Sequence, residues 1–267
     1  MKKDVLIYIL IFIIIFMLLL FYLFDRKNIE VQKHLNDIYI KMQLLQDDYK
    51  YFINNTSNMT IKKENGFIII DNFLNEDFFY FLKSQFENKQ FNSKNIYFRK
   101  GSGIDMYNLH KNNEYIGLLE LFYSSEMSDI LSKLLKKPIQ RPTLSDVNAC
   151  SLLIYSNKGD YIDWHKDYSN YYGDRYVVLL TLINENHTKT NLSQNEYCYI
   201  YNNKEYKMKM KPNTLVIFKG SEILHKSTSI DENEKRILLS MTFCDICQEK
   251  KKLHYFLYEN IKNLSIY

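Results

Sequence analysis

Hydrophobic positions follow three successive patterns along the chain, and each predicts a different kind of element. From residue 5 to 24 (VLIYILIFIIIFMLLLFYLF) twenty apolar residues run without a charge. At about 1.5 Å per residue, a helix over this stretch matches the roughly 30 Å hydrocarbon core of a bilayer. The run exceeds a signal-peptide core and no small-residue cleavage site follows it, so the pattern predicts an uncleaved transmembrane anchor behind a short tail, 1–4. Basic residues flank both ends (Lys2 and Lys3 before, Arg26 and Lys27 after). The favoured orientation puts the N-terminus in the cytosol and the body of the protein in the lumen of the endoplasmic reticulum or Golgi.

The spacing then changes. Val31, Leu35, Ile38, Met42, Leu45, Tyr49 and Phe52 recur at alternating intervals of four and three. This heptad seam predicts a helical stem over 25–53, with two readings of equal weight. One is self-association into a homo-dimer through a short coiled coil; the other is packing of the stripe on the globular domain. NNTSNMT, 54–60, is polar and poor in helix formers, and predicts a linker to a domain spanning 61–267.

Within that domain, GFIIIDNFL (66–74) predicts a buried strand, and NEDFFYFLKSQFENK a helix capped by Asn75. Residues 114–136 predict a second helical region broken at Ser124-Ser125. From Val147 the texture becomes short apolar or alternating runs: CSLLIY, RYVVLLTLI, EYCYIY, EYKMKM, TLVIF and RILLSMTF. Strands at this spacing predict an antiparallel sandwich or barrel. The fold class is therefore α+β, with supporting helices before a β core over about 147–244.

Composition narrows the function classes. A net charge of +4, spread along the chain, gives no basic stripe, so no nucleic-acid partner is expected. Six N-x-S/T sequons are compatible with a lumenal body, but an asparagine-rich chain produces them by chance. Four cysteines are too few and too irregular for a disulfide framework, and Cys244-x-x-Cys247, without a second pair, is expected to be two incidental thiols.

The candidate chemistry lies in YIDWHKDYSNYYGDRYVVLL, 161–180. His165 and Asp167 stand two apart, so on an extended segment they project to the same side. An H-x-D pair alone is weak evidence; its company is stronger. His225 follows the strand TLVIF, and eleven residues later Arg236 opens the last strand. Two imidazoles and a carboxylate on one face of a metal leave its other positions open, which suits non-haem Fe(II). A closed zinc site would want a fourth ligand, commonly cysteine, and none lies beside these three in sequence. On the last strand Arg236, Leu238, Ser240 and Thr242 share one face, unusually polar for a core. Arginine's planar fork matches a carboxylate, as needed for the far end of a dicarboxylate that chelates the metal.

This ordered set of His165, Asp167, His225 and Arg236 resembles the 2-oxoglutarate and Fe(II)-dependent dioxygenases, most closely their prolyl 4-hydroxylase-like branch. GFIIIDNFL, LLIYSNKGDYIDWHKD, GDRYVVLLTLIN and KPNTLVIF resemble further segments of that branch in the same order, so the likeness covers roughly 66–244. The resemblance implies a double-stranded β-helix (jelly-roll or cupin-like) core. It implies Fe(II) held by His165, Asp167 and His225, with Arg236, Tyr155 and Ser240 toward 2-oxoglutarate. It implies decarboxylation of 2-oxoglutarate to succinate with O2 as cosubstrate, coupled to hydroxylation of a C–H bond, with ascorbate as reductant. A protein or peptide substrate is expected, prolyl first and lysyl second, and Tyr161, Trp164 and Arg175 are the candidates to line its path. Trp164 stands where the branch has a proline, and Arg236 where several prolyl hydroxylases have lysine. The competing readings are a tethered, non-catalytic β-barrel binding module, which should have lost a ligand or Arg236, and an oxygenase acting on a small molecule.

Overall fold

The structure, a computed structural model, describes residues 3–45, 52–142, 146 and 149–250. The N-terminal patterns form one uninterrupted helix, α1 (Lys3–Leu45). Its Asp4–Leu23 stretch has a mean hydropathy of 3.2 and none of it is buried, so by length and composition it is apolar enough to cross a membrane. Tyr49 and the side chains of Val31, Leu35, Ile38, Met42 and Leu45 lie outside the described residues, and with them the packing of the heptad seam.

The chain is attached to the globular body ahead of residue 61. Phe52 is buried, Ile53 bridges Leu74, and the Asn54 amide donates to the Phe73 carbonyl at 2.9 Å. Where a linker is expected, Thr56–Asn58 forms a 3-10 turn. β1 (Thr60–Glu64) and β2 (Phe67–Asp71) then pair as a hairpin. Its turn, Asn65-Gly66, takes positive φ at both residues (49° and 83°), the geometry that matches strand twist in a two-residue loop. β1 is exposed along its whole length and carries two lysines and a glutamate, which suits the edge of the sheet it forms.

The helices follow their local signals. Asn75 Oδ1 accepts the Asp77 amide at 3.0 Å and starts α2 (Glu76–Ser84). The short α3 (Met106–Lys111) is capped by Asp105. α4 (Ile116–Tyr123) and α5 (Ser125–Leu135) are separated at Ser124, whose extended backbone (ψ 142°) breaks the helix. Its hydroxyl accepts the Met127 amide to begin the next one. α1 lies against α3 and α4.

The remaining strands are β3 (Lys94–Ile96), β4 (Arg99–Ile104), β5 (Cys150–Tyr155), β6 (Tyr161–His165), β7 (Arg175–Glu185), β8 (Tyr197–Tyr201), β9 (Lys204–Met208), β10 (Leu215–Phe218), β11 (Leu224–Ser227) and β12 (Lys235–Cys244). They form one curled antiparallel sheet of the jelly-roll, cupin-like type, in the order β1-β2-β10-β7-β12-β5-β4-β6-β11-β8-β9, with β3 on β4. From β5 onward the chain passes back and forth between the two halves of this order, so residues far apart in sequence face each other inside. β7 is buried on both faces, which is why RYVVLLTLI reads as a continuous apolar run. On β12, Ile237, Leu239 and Met241 pack toward the helices, while Leu238 joins the inner cluster with Val177, Leu179, Tyr197 and Phe218.

The cysteine expectation fails at one pair. Cys244 and Cys247 are joined as a disulfide, because the turn leaving β12 brings their Cα atoms to 5.3 Å, within ordinary bridging range. Cys150 and Cys198 are free and buried.

Candidate metal centre

Strand pairing places the two histidines. His165 ends β6 and His225 lies directly opposite it on β11, so their rings sit 4.2 Å apart between centroids. Asp167 follows two residues beyond the strand end, where its amide donates to the Gly220 carbonyl at 3.0 Å. Its carboxylate lies 3.9 Å from His165 Nε2 through Oδ1 and 3.9 Å from His225 Nε2 through Oδ2. One ligand atom from each residue falls within 4.8 Å of the others.

The far side of each ring is already committed. His165 Nδ1 meets the Asp163 carbonyl at 2.7 Å, and His225 Nδ1 meets the Ile223 carbonyl at 2.9 Å. A carbonyl can only accept, so each Nδ1 carries the proton and each Nε2 lone pair is left facing Asp167, the arrangement that outer hydrogen bonds give metal-binding imidazoles. Burial draws His225 down to about 4 against the opposing pull of Asp167, which keeps that ring neutral at neutral pH. Two imidazole nitrogens and a carboxylate, with no thiolate in the group, could hold a metal ion, and such a donor set suits non-haem Fe(II).

Two further groups shape Asp167. Arg175 Nη1 stands 3.8 Å from Oδ2, and its Nη2 is fixed at 2.8 Å on the Thr242 hydroxyl of β12. Gly220 leaves the room: a Cβ built there would lie 2.1 Å from Asp167 Oδ2 and 2.7 Å from Val177 Cγ2.

Arg236 opens into the same cavity. It is 1% exposed, pairs across β12 with Tyr155 of β5, and its guanidinium carbon lies 5.6 Å from the centre of the Tyr155 ring. Nη1 donates to the Ser227 hydroxyl and Nη2 to Met210 sulfur at 3.3 Å; among the described residues no carboxylate pairs with it. Burial pulls its pKa down, opposed by Tyr155 and Tyr197. Ser227 in turn donates to Asn195 Oδ1 at 3.1 Å, so a buried polar relay stands behind the guanidinium. The cavity, about 60 Å³, is lined by His165, Asp167 and His225 at one end and by Arg236, Tyr155 and Ser240 with apolar walls elsewhere.

The other anticipated residues lie around this centre. Arg175 is on Asp167, outside the cavity lining. Tyr161 and Trp164 are half-buried on β6 and do not line the cavity; Trp164 carries Lys226 Nζ 4.4 Å from its ring centre. Gly220, Ser227, Asn195 and Tyr197 went unanticipated. Gly220 had a signal, being one of only 7 glycines and placed just after a strand, whereas Tyr197 is one of 23 tyrosines with nothing to single it out.

No protein-family model matches the chain, and no curated protein matches it. Solved structures do. A 2OG-Fe(II) oxygenase family oxidoreductase from Burkholderia pseudomallei superposes with a TM-score of 0.54 at 9% identity, covering 71% of this chain and 90% of that one. The non-haem alpha-ketoglutarate-dependent epimerase SnoN from nogalamycin biosynthesis gives 0.51 at 9% identity, over 77% of this chain and 84% of that one. A prolyl-4-hydroxylase from Pseudomonas putida gives 0.47 at 14% identity, over 68% of this chain and 92% of that one. The chain has the fold of the 2OG-Fe(II) oxygenases.

Proposed function

We propose that this protein is a membrane-anchored 2-oxoglutarate and Fe(II)-dependent dioxygenase of the prolyl 4-hydroxylase-like branch, built on a double-stranded β-helix, and that it hydroxylates a protein side chain, prolyl before lysyl. One observation carries the reading: the buried Arg236, without a carboxylate partner among the described residues, opens into the cavity whose other end is the His165–Asp167–His225 cluster. A buried cation left uncompensated costs several kcal/mol on an order-of-magnitude view, so the site calls for an anion. 2-Oxoglutarate answers both ends, chelating a metal through its keto acid and reaching the guanidinium with its far carboxylate.

When bound, Fe(II) and 2-oxoglutarate supply the oxidising chemistry: O2 is consumed, 2-oxoglutarate is decarboxylated to succinate, and a substrate C–H bond is hydroxylated, with ascorbate as reductant. The chain's own residues bind and orient. His165, Asp167 and His225 hold the metal, and Arg175 and Gly220 keep the Asp167 carboxylate turned toward it. Arg236, Tyr155 and Ser240 receive the far carboxylate, while Leu153, Leu179, Phe218 and Leu238 exclude water around it. Outside, Phe98 is 41% exposed and 6.0 Å from the His165 ring, an aromatic surface suited to a proline ring of an extended peptide, and Tyr161 and Trp164 remain candidates to line the substrate's path. α1 holds the domain at the membrane, with dimerisation through its stem as the proposed assembly.

The test is succinate release by the full-length protein in detergent with Fe(II), ascorbate and 2-oxoglutarate, across proline-rich, lysine-rich and unrelated peptides. His165→Ala and Asp167→Ala are each expected to abolish turnover, and a chelator to do the same. Normal turnover by both variants would refute the metal assignment; stimulation by a small molecule but by no peptide would move the substrate class.

A further inference from the structure

Tyr197 on β8 is the one cavity-lining tyrosine whose hydroxyl is both fully buried and without a hydrogen-bond partner among the described residues. Its ring is held on three sides, by His225 at 5.6 Å, Phe218 at 6.0 Å and Phe67 at 6.2 Å between centroids. Two of these neighbours are phenylalanines, so filling this space requires no hydroxyl. An unsatisfied buried hydroxyl costs about 1–3 kcal/mol, and phenylalanine at this position would avoid that cost. The oxygen therefore lacks a partner among the described residues while lining the cavity, where a bound ligand would meet it. Strand register places Tyr197 opposite Ser227, the residue whose Oγ holds Arg236 Nη1. The cavity that the phenol lines has Asp167 at one end and Arg236 at the other, and a phenol hydroxyl can donate to a carboxylate.

We infer that Tyr197 is a binding residue for the keto-diacid, its phenol donating a hydrogen bond to a carboxylate oxygen of the ligand beside Arg236. This rests on the proposed cosubstrate and adds a neutral donor from the opposite half of the barrel. A neutral donor next to a fixed cation lets the site discriminate a diacid from a monoacid by geometry as well as by charge.

The experiment is calorimetric titration of 2-oxoglutarate into full-length protein loaded with Mn(II) in place of Fe(II), for the parent, Tyr197→Phe and Arg236→Gln. Tyr197→Phe should weaken 2-oxoglutarate on the order of tenfold, the scale of one hydrogen bond to a charged group, with Mn(II) affinity unchanged. The ligand-free variant should melt no lower than the parent, because the unpaired oxygen is gone, while the rise in melting temperature on adding 2-oxoglutarate shrinks. A 2-oxoglutarate affinity within twofold of the parent, in the same series where Arg236→Gln loses binding, would overturn this inference alone. A parent that binds no 2-oxoglutarate would overturn the inference together with the proposed function.

Discussion

Asp167 is held from several sides. Its amide is tied to the Gly220 carbonyl, its carboxylate is approached by two imidazoles and one guanidinium, and the space over Oδ2 exists only because residue 220 lacks a side chain. Gly220→Ala should push the carboxylate aside and lower Mn(II) or Fe(II) affinity on the order of tenfold or more, the usual scale for disturbing the groups that orient a ligand. Metal titration with circular dichroism as a control for folding checks this, and an unchanged affinity in a folded variant would contradict it. His225 sets a pH dependence. Its ring takes up a proton near pH 4 when folded but near 6.5 when unfolded, so between those values the unfolded chain binds more protons. Stability of the metal-free protein should therefore fall as pH drops from 6.5 toward 4, by about 3 kcal/mol as an order of magnitude. Denaturant midpoints at pH 7 and pH 4.5 measure this, and a flat profile would place His225 outside the barrel.

Among the elements, β12 does the most to assemble the site. It contributes Arg236, Leu238 and Ser240 to the cavity, positions Arg175 through Thr242, and ends in the Cys244–Cys247 bridge. Beyond β12, residues 245–250 clamp the loop that follows Asp167. Gly173 and Tyr172 amides donate to the Ile246 and Gln248 carbonyls at 3.1 and 3.0 Å, and Lys137 Nζ holds Asp174 and Asp245 at 2.6 Å each. A bridge closing so short a loop removes little unfolded-chain entropy, so its effect is local. Reduction by a dithiol should leave the melting temperature nearly unchanged yet speed amide exchange at 170–174 and 245–250, as read by hydrogen-exchange mass spectrometry. Unaltered exchange in both segments would remove the clamp from the account. The alternation that divides β12 into two faces was legible in sequence, as were the cap of α2 and the break between α4 and α5. β3 and β4 were not: RKGSGI has neither alternation nor β-branched density, and its strand exists because β5 and β6 supply partners on both sides.

Across the whole molecule, what the sequence made readable is what depends on local order or on spacing: an apolar run the length of a bilayer, a helix broken at a serine, an H-x-D followed by a histidine and an arginine. What stayed hidden depends on the winding of the sheet. Nothing in the spacing places His225 opposite His165, Tyr197 opposite Ser227, or a glycine over Asp167; β-strand exchange between the two halves does. The disulfide was missed for the same reason, since two cysteines three apart bridge only when a strand end turns them together. All the parts converge on one claim, a metal at one end of the cavity and a diacid's carboxylate at the other. The most direct measurement is a crystal structure of the protein grown with Mn(II) and 2-oxoglutarate, with an anomalous difference map at the manganese edge. The account expects one anomalous peak bonded to His165 Nε2, Asp167 and His225 Nε2, and the far carboxylate of 2-oxoglutarate on Arg236. A metal bound elsewhere, or a diacid that leaves the Arg236 guanidinium untouched, would contradict it.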